Sequence, residues 1–212
     1  MPRSHRLIVS GFPHHITQRG NGGQAVFLSD AQRTLFLRLL SEQCCKHGIV
    51  ILGYCLMTNH YHAVIVPPSP DSTARAFARV HGDFARRMNA ERQTSGRFWQ
   101  GRYFIAAMDP LHCWNAVAYA ERNPVRAGLV KLAEFYPWSS AAARLGLAKC
   151  PDWLDLAAWR RGWSGSDWQG TLRDCDAEPE FATQLRAATF TGLPYGDEAL
   201  ARTRSRRTAA AA

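Results

Sequence analysis

The stretch that decides the fold is Leu52–Pro67, which reads LGYCLMTNHYHAVIVP. Two apolar runs are separated by the polar pair Thr58-Asn59, which is the pattern of a β-hairpin. The second run continues after His62 with four apolar residues, Ala63–Val66. An uninterrupted apolar run of this kind is typical of a central strand that is buried on both faces.

The second strand of this hairpin begins with two histidines, His60 and His62. Side chains two residues apart on a strand point to the same face of the sheet, so both imidazoles project side by side. Neutral imidazole is a common metal ligand, and the pair therefore predicts half of a metal site whose third ligand comes from elsewhere in the chain. The alternative is an incidental pair, because an isolated His-x-His is more often a packing feature than a metal site.

The chain around the hairpin predicts alternating strands and helices. The spacing of Ser29 and Gln32 predicts a capping box at the start of the first helix, and Gly48 predicts its end. The predicted elements, in order, are a strand 14–19, a helix opened by Ser29, strands 49–57 and 60–66, a helix capped by Asp71 or Ser72, a strand 98–107, and a helix opened by Asp109-Pro110 that ends near Asn123. The first six follow the β-α-β-β-α-β order, which predicts an α+β fold, a ferredoxin-like sandwich with an antiparallel sheet.

The last of these helices carries a second pair of polar side chains. Tyr119 and Asn123 are four residues apart, so they are neighbours on one helix face. A phenol and a carboxamide therefore project together. The alternative is a half-buried tyrosine that only hydrogen-bonds to solvent.

The composition indicates a polyanionic partner. The 212 residues carry a formal net charge of +9, and all but three of the 26 basic residues are arginines. Arginine favours bidentate phosphate contacts and stacks on bases, although a coding bias toward arginine would give the same composition. No apolar run is long enough for a membrane span, and the six cysteines lack CxxC spacing, which excludes a zinc ribbon.

The charge is distributed unevenly along the chain. Seven arginines lie between Arg75 and Arg102, whereas acids outnumber arginines between Cys150 and Glu180. This reversal predicts a boundary near residue 148. We expect three parts: a main domain at 1–148, a helical extension at 149–200 packed through its tryptophans, and a basic, disordered tail at 201–212.

Several motifs together resemble the REP-associated tyrosine transposases, which belong to the single-tyrosine HUH transposases. The resemblance extends in order over nearly the whole chain. The motifs that carry it are 13–21 (PHHITQRGN), 57–62 (MTNHYH), 99–103 (WQGRY), 119–130 (YAERNPVRAGLV), 136–140 (YPWSS) and 191–194 (TGLP). Thr58 and Leu193 depart from the family, which often has proline and arginine at these positions.

The resemblance implies a DNA transposase, with 1–148 as the catalytic domain. Tyr119 would be the nucleophile, and His60, His62 and Asn123 would hold a divalent metal. Mg²⁺ or Mn²⁺ suits such mixed nitrogen and oxygen ligands with open positions. The enzyme would nick and rejoin single-stranded or hairpin DNA, such as repetitive extragenic palindromes, through a 5′-phosphotyrosine.

The remaining expectations concern partners. We expect a monomer, with a dimer as the alternative, in the cytoplasm and associated with the nucleoid. Two other functions stay open: a DNA-binding module that does not cleave, and an unrelated metallohydrolase that uses His60, His62 and a third histidine from among His14, His15, His81 and His112. The residues expected to contact DNA are Arg19, His14, Arg75, Arg79, Arg86, Arg97 and Arg102.

Overall fold

Four antiparallel strands form a single sheet at the centre of the described chain. The fold comes from a computed structural model, which describes residues 6–163, 165, 167–174, 179–199 and 201. The sheet order is β2-β3-β1-β4, the order that a ferredoxin-like β-α-β-β-α-β chain gives, so the predicted α+β fold is confirmed. The strands are β1 (His14–Arg19), β2 (Val50–Leu56), β3 (His60–Val66) and β4 (Phe104–Ala107).

Helices cover both faces of the sheet. One face packs an aromatic cluster, including Phe36, Tyr61 and Phe84, under α1 (Asp30–Lys46) and α2 (Pro70–Glu91). The other face packs Leu52 and Val64 against α3 (Cys113–Arg126) and the later helices. These later helices are α4 (Ala141–Arg144), α5 (Leu156–Gly162), α6 (Trp168–Arg173) and α7 (Pro179–Thr191).

The ends of the first helix agree with the sequence, whereas the start of the second does not. Ser29 accepts a hydrogen bond from the backbone N–H of Gln32, as predicted for α1. The cap of α2 is Ser69, not Asp71 or Ser72, and its Oγ accepts from the N–H of Ser72. Pro70 explains this shift, because proline fits the first helical position, where its missing N–H costs nothing.

The fourth strand is shorter than predicted, since β4 begins at Phe104 and not at Phe98. Residues 98–103 form a loop in which the indole of Trp99 is buried and donates to the carbonyl of His81 at 3.0 Å. This anchor places Trp99 in the aromatic core under α1 and α2. The backbone there makes only an isolated bridge with Gly20, just after β1, and does not continue as a strand.

The third helix does not end at Asn123 but continues through Pro124 to Arg126. Proline has no N–H for the carbonyl of Ala120, which would normally make such a position costly. The side-chain amide of Asn123 donates instead, to the carbonyls of Tyr119 at 2.8 Å and Ala120 at 3.5 Å. Asp109 does not cap this helix, because its carboxylate accepts from the N–H groups of residues 198 and 199.

The segment after residue 148 packs onto α3 through tryptophans, as expected. Trp168 is buried, and its indole donates to the carboxylate of Glu121 at 3.0 Å. That carboxylate also binds Arg144, and both side chains are fully buried. In the described part of the chain, none of the helices combines the length and apolar character that crossing a bilayer requires. The boundary at 148 stays a prediction, and residues 202–212 of the expected tail lie outside the described residues.

Candidate active site

The strand register sets the two histidines of β3 on the same sheet face as residues of β1. Thr17 pairs with His62, and Arg19 pairs with His60. Residues that face each other across neighbouring strands share a side of the sheet. This is the side covered by α3, so the imidazoles point toward the helix that carries Tyr119.

A cavity of about 500 Å³ lies where β1, β3, α3 and α7 meet. It brings together Tyr119, Asn123, His60 and His62, and it includes Arg19 from the set expected to contact DNA. The other lining residues are His15, Thr17, Gln100, Phe104, Arg186, Thr189 and Phe190. The two local pairs predicted from the sequence therefore face one shared space.

Tyr119 is buried and lines the cavity. The aromatic ring of Tyr119 makes edge-to-face contacts with the imidazoles of His15 and His62, with ring centroids 5.7 and 5.6 Å apart. The Nε of Arg186 donates to the phenolic oxygen at 2.9 Å. The guanidinium of Arg126 lies 5.0 Å from the ring centroid. The phenol is thus held between the histidines and two cations.

Hydrogen-bond directions determine which nitrogen His62 presents. The hydroxyl of Thr189 donates to the carbonyl of Leu185 at 2.6 Å, so its oxygen accepts from Nδ1–H of His15 at 2.8 Å. The Nε2 of a neutral His15 then has no proton and accepts from Nδ1–H of His62 at 2.9 Å. The Nε2 of His62 consequently carries a lone pair, as a metal ligand must.

His60 reaches the same state through its neighbour in the hairpin turn. The side-chain amide of Asn59 donates to the carbonyl of Gly23 at 3.2 Å, which fixes its oxygen toward His60. That oxygen accepts from Nδ1–H of His60 at 2.7 Å, so the Nε2 of His60 is also unprotonated. Two strand histidines therefore present the same type of donor atom.

Burial keeps these imidazoles neutral. It lowers the pKa of His15 to about 3, and, with the nearby Arg19 cation, lowers the pKa of His60 to about 4. Burial holds the pKa of His62 well below its usual value, and electrostatic repulsion from the neighbouring His15, His60 and Arg186 lowers this pKa further. Neutral imidazole is the form that binds metal, so the site needs no deprotonation near neutral pH.

Asn123 offers a third donor of a different type. Its amide nitrogen is engaged with the backbone of α3, which leaves the carbonyl oxygen Oδ1 as the atom available to a metal. Among the described residues, no cluster of three or more His, Cys, Asp or Glu side chains could hold a metal ion. A site made of two imidazoles and a carboxamide fits Mg²⁺ or Mn²⁺. The third histidine in the cavity, His15, uses both ring nitrogens in hydrogen bonds to Thr189 and His62, so it leaves no nitrogen for a metal.

Other predicted residues lie away from the cavity. His14 is fully buried, donates from Nδ1 to the carbonyl of Phe12, and accepts from the N–H of Val9, so we leave it out of the DNA-contacting set. Three of the four arginines of α2 belong to the set expected to contact DNA, and all three are exposed on the helix that covers the opposite sheet face. Arg79 and Arg86 pair there with Asp83, and Arg75 is the third. Arg97 and Arg102 are exposed in the loop before β4, and Arg102 lines a neighbouring cavity.

Sequence reasoning missed Thr189 and Arg186, which complete the cavity, and it named His15 only as one candidate third ligand of a metallohydrolase. The two on α7 belong to no spacing motif, and His15 and Thr189 are 174 residues apart. The one available signal was the position of His15 on β1. In this fold β1 pairs with β3, so side chains on the matching face of β1 point toward the same helix as His60 and His62.

Comparison with known proteins identifies the family. Residues 9–123, just over half of the chain, match the family described as "Transposase IS200 like". A REP-associated tyrosine transposase structure, bound to a REP hairpin, has a similar fold, with a TM-score of 0.59, 17% sequence identity, and coverage of 78% of this chain and 92% of that chain.

A proposed transposase from Deinococcus radiodurans R1 aligns with a TM-score of 0.38 and 15% identity, over 60% of this chain and 92% of its own. No curated protein sequence matches the chain. The family match includes both histidines of β3, Tyr119 and Asn123. The chain belongs to the IS200-like transposase family.

Proposed function

We propose that the chain is a metal-dependent transposase that nicks and rejoins single-stranded or hairpin DNA, with Tyr119 as its nucleophile. The observation that carries this proposal is the shared cavity, where the phenol of Tyr119 packs against His62 and where His60 and His62 both present unprotonated Nε2 atoms. The family match supports a transposase, and the cavity supports this chemistry for it.

The metal would be held by Nε2 of His60, Nε2 of His62 and Oδ1 of Asn123. When bound, a divalent ion would withdraw charge from a phosphate oxygen and so stabilise the transition state. The chain's own contribution is orientation. Asn59 and His15 fix the two rings, and the amide of Asn123 is fixed by the helix backbone.

Cleavage by Tyr119 is a transesterification in which no atoms or electrons are lost. Its phenolic oxygen forms a bond to phosphorus, the bond from phosphorus to the 3′ oxygen breaks, and the phenol proton ends on that 3′ oxygen. The products are a 5′-phosphotyrosine and a free 3′-hydroxyl. Because the ester keeps the bond energy, the reverse reaction rejoins strands without ATP.

The choice of substrate rests on the solved relative and on charge. That relative is described as bound to a REP hairpin, which makes a hairpin with a single-stranded flank the first substrate to test. Arg19 lines the cavity and Arg102 lines the next one along the surface, so a strand leaving the site would meet positive charge.

The test is formation of a covalent protein–DNA adduct. Wild-type protein with Mn²⁺ and such a hairpin should give an adduct that survives denaturing electrophoresis. Tyr119→Phe should give none, and His60→Ala or chelation of the metal should reduce it strongly, with DNA binding retained. Absence of any adduct with wild-type protein, or an equal yield from Tyr119→Phe, would contradict the proposal.

A DNA-binding module without cleavage is the second candidate, and one observation favours it. Exposed arginines lie on α2, across the sheet from the cavity, where they cannot take part in the chemistry. If this face binds a phosphate backbone, Arg75→Ala should weaken binding and reduce the slope of log affinity against log salt by about one. Salt-sensitive binding that His60→Ala does not change, without nicking, would select this function.

A further inference from the structure

Among the described residues, Arg186 is the one whose side chain hydrogen-bonds to the phenolic oxygen of Tyr119, and the sequence had not predicted it as a site residue. It lies on α7, in the extension after residue 148, and its Nε is 2.9 Å from the Tyr119 hydroxyl. Its side chain lines the cavity and is exposed to solvent. Within the described residues, the terminal nitrogens of its guanidinium form no hydrogen bond, so they are available to a ligand in the cavity.

We propose that Arg186 is a catalytic residue that holds the nucleophilic oxygen with Nε and the scissile phosphate with its terminal nitrogens. This inference rests on the proposed function. A guanidinium is a rigid planar fork with five N–H donors, suited to bidentate phosphate contacts. One group that contacts both reacting partners fixes the distance and direction of attack, which is how positioning lowers a barrier.

Arg186 neither gives nor takes a proton in the proposed reaction, in either direction. In cleavage, Tyr119 Oη bonds to phosphorus, the bond to the 3′ oxygen breaks, and the phenol proton is taken up by that oxygen. In rejoining, the 3′ oxygen bonds to phosphorus, the bond from phosphorus to Oη breaks, and the 3′-hydroxyl proton ends on Oη. The Nε–H group of Arg186 then donates to the departing phenolic oxygen. This hydrogen bond becomes stronger as negative charge develops on that oxygen in the transition state.

The position of α7 does not depend on this side chain. Phe181 and Leu185 anchor the helix in the core with α3, and Thr189 is buried against His15. The hydroxyl of Tyr195 also donates to Gln184 at 2.7 Å. Removing the guanidinium should therefore leave the helix and the metal ligands in place, which separates chemistry from folding.

The experiment measures single-turnover adduct formation with the hairpin oligonucleotide and Mn²⁺. Arg186→Ala should slow it about a hundredfold, as loss of a fixed transition-state donor does. Affinity for Mn²⁺ should be unchanged, and Arg186→Lys should recover part of the rate. Methylguanidinium added to the medium should accelerate the Arg186→Ala protein and not the wild type. Arg161→Ala, an exposed arginine of α5, is the charge-matched control and should react normally.

The outcomes separate this inference from the proposed function. A wild-type protein that forms no adduct overturns both. A wild-type protein that forms the adduct, with Arg186→Ala equally fast, overturns only the role of Arg186. A slow Arg186→Ala variant that also loses Mn²⁺ affinity, and that neither methylguanidinium nor lysine improves, would show a structural contact and would equally overturn the inference.

Discussion

The Nε2 atom of His15 lies 2.9 Å from Nδ1 of His62, and the two rings are stacked with centroids 5.1 Å apart. One imidazole therefore sets the tautomer of the other. Because His15 is itself fixed by the hydroxyl of Thr189, a group on α7 determines which nitrogen of His62 faces the cavity. One proposed metal ligand, His62, thus depends on the helix farthest from it in sequence among the described helices.

Breaking this chain of hydrogen bonds should weaken metal binding. Thr189→Val keeps the shape of the side chain but removes the oxygen that accepts from His15, so we expect Mn²⁺ affinity to fall about tenfold or more. Calorimetric titration or electron paramagnetic resonance of free Mn²⁺ would measure it. Thr183→Val is the matched control, because that hydroxyl makes the same bond to the helix backbone but is exposed. Equal affinities for the two variants would show that Thr189 does not fix the ligand.

A close approach between β2 and α3 should make Gly53 intolerant of any side chain. A Cβ at this position would lie 2.8 Å from Cγ1 of Val117, on the helix that carries Tyr119. We expect Gly53→Ala to cost about 1–3 kcal/mol in the free energy of unfolding, through overpacking, and to slow adduct formation by displacing α3. Adding Val117→Ala should recover stability, measured by chemical denaturation. If the double variant is less stable than both single variants, the contact is not the cause.

The buried ion pair between Glu121 and Arg144 should be sensitive to the loss of one partner. Both side chains are fully buried, and Nε of Arg144 lies 3.0 Å from the carboxylate. We expect Glu121→Gln to destabilise the fold by about 3–5 kcal/mol, because it leaves a buried cation without its counter-charge. Urea denaturation would measure this.

Replacing both partners with apolar residues, as in Glu121→Leu with Arg144→Met, should cost less than Glu121→Gln alone. A larger loss in the double variant would mean that the pair is favourable as a unit, and would contradict this expectation.

Buried neutral histidines should make the fold acid-sensitive. Burial lowers the pKa of His14 to about 4 and of His81 to about 3. The unfolded chain, with the ordinary value near 6.5, then binds these protons more readily, so stability is lost as pH falls below about 6.5 toward the folded values.

Each such group contributes a slope of up to about 1.4 kcal/mol per pH unit in this window. Urea unfolding between about pH 7.5 and 4.5 would reveal it, and His81→Gln should reduce the slope. A slope that His81→Gln leaves unchanged would show that His81 is not one of the responsible groups.

The sequence predicted what short-range rules control. Strand alternation and the polar turn gave the hairpin, and β1 and β3 have the predicted ends. The errors occurred where a side chain overrode a local rule. Asn123 takes over the missing hydrogen bond at Pro124, so α3 continues, and Trp99 is held by His81, so β4 starts late.

The same limit applies to the proposed site. Spacings of two on a strand and four on a helix brought out His60 with His62, and Tyr119 with Asn123, because such pairs share a face by geometry alone. No such spacing connects these residues to Arg186, which meets Tyr119 across 67 residues of chain. Contacts of this range depend on how the extension packs, and one sequence carries no local signal for it.

The arrangement of α7 also has a consequence for biosynthesis. A ribosome makes the strand histidines, Tyr119 and Asn123 well before it makes Arg186 and Thr189, so a growing or prematurely terminated chain has the motif residues without the two contacts that hold them. Under the proposed function, full cleavage activity would arise only after translation has passed α7, and shorter fragments left by stalled synthesis would cut DNA slowly.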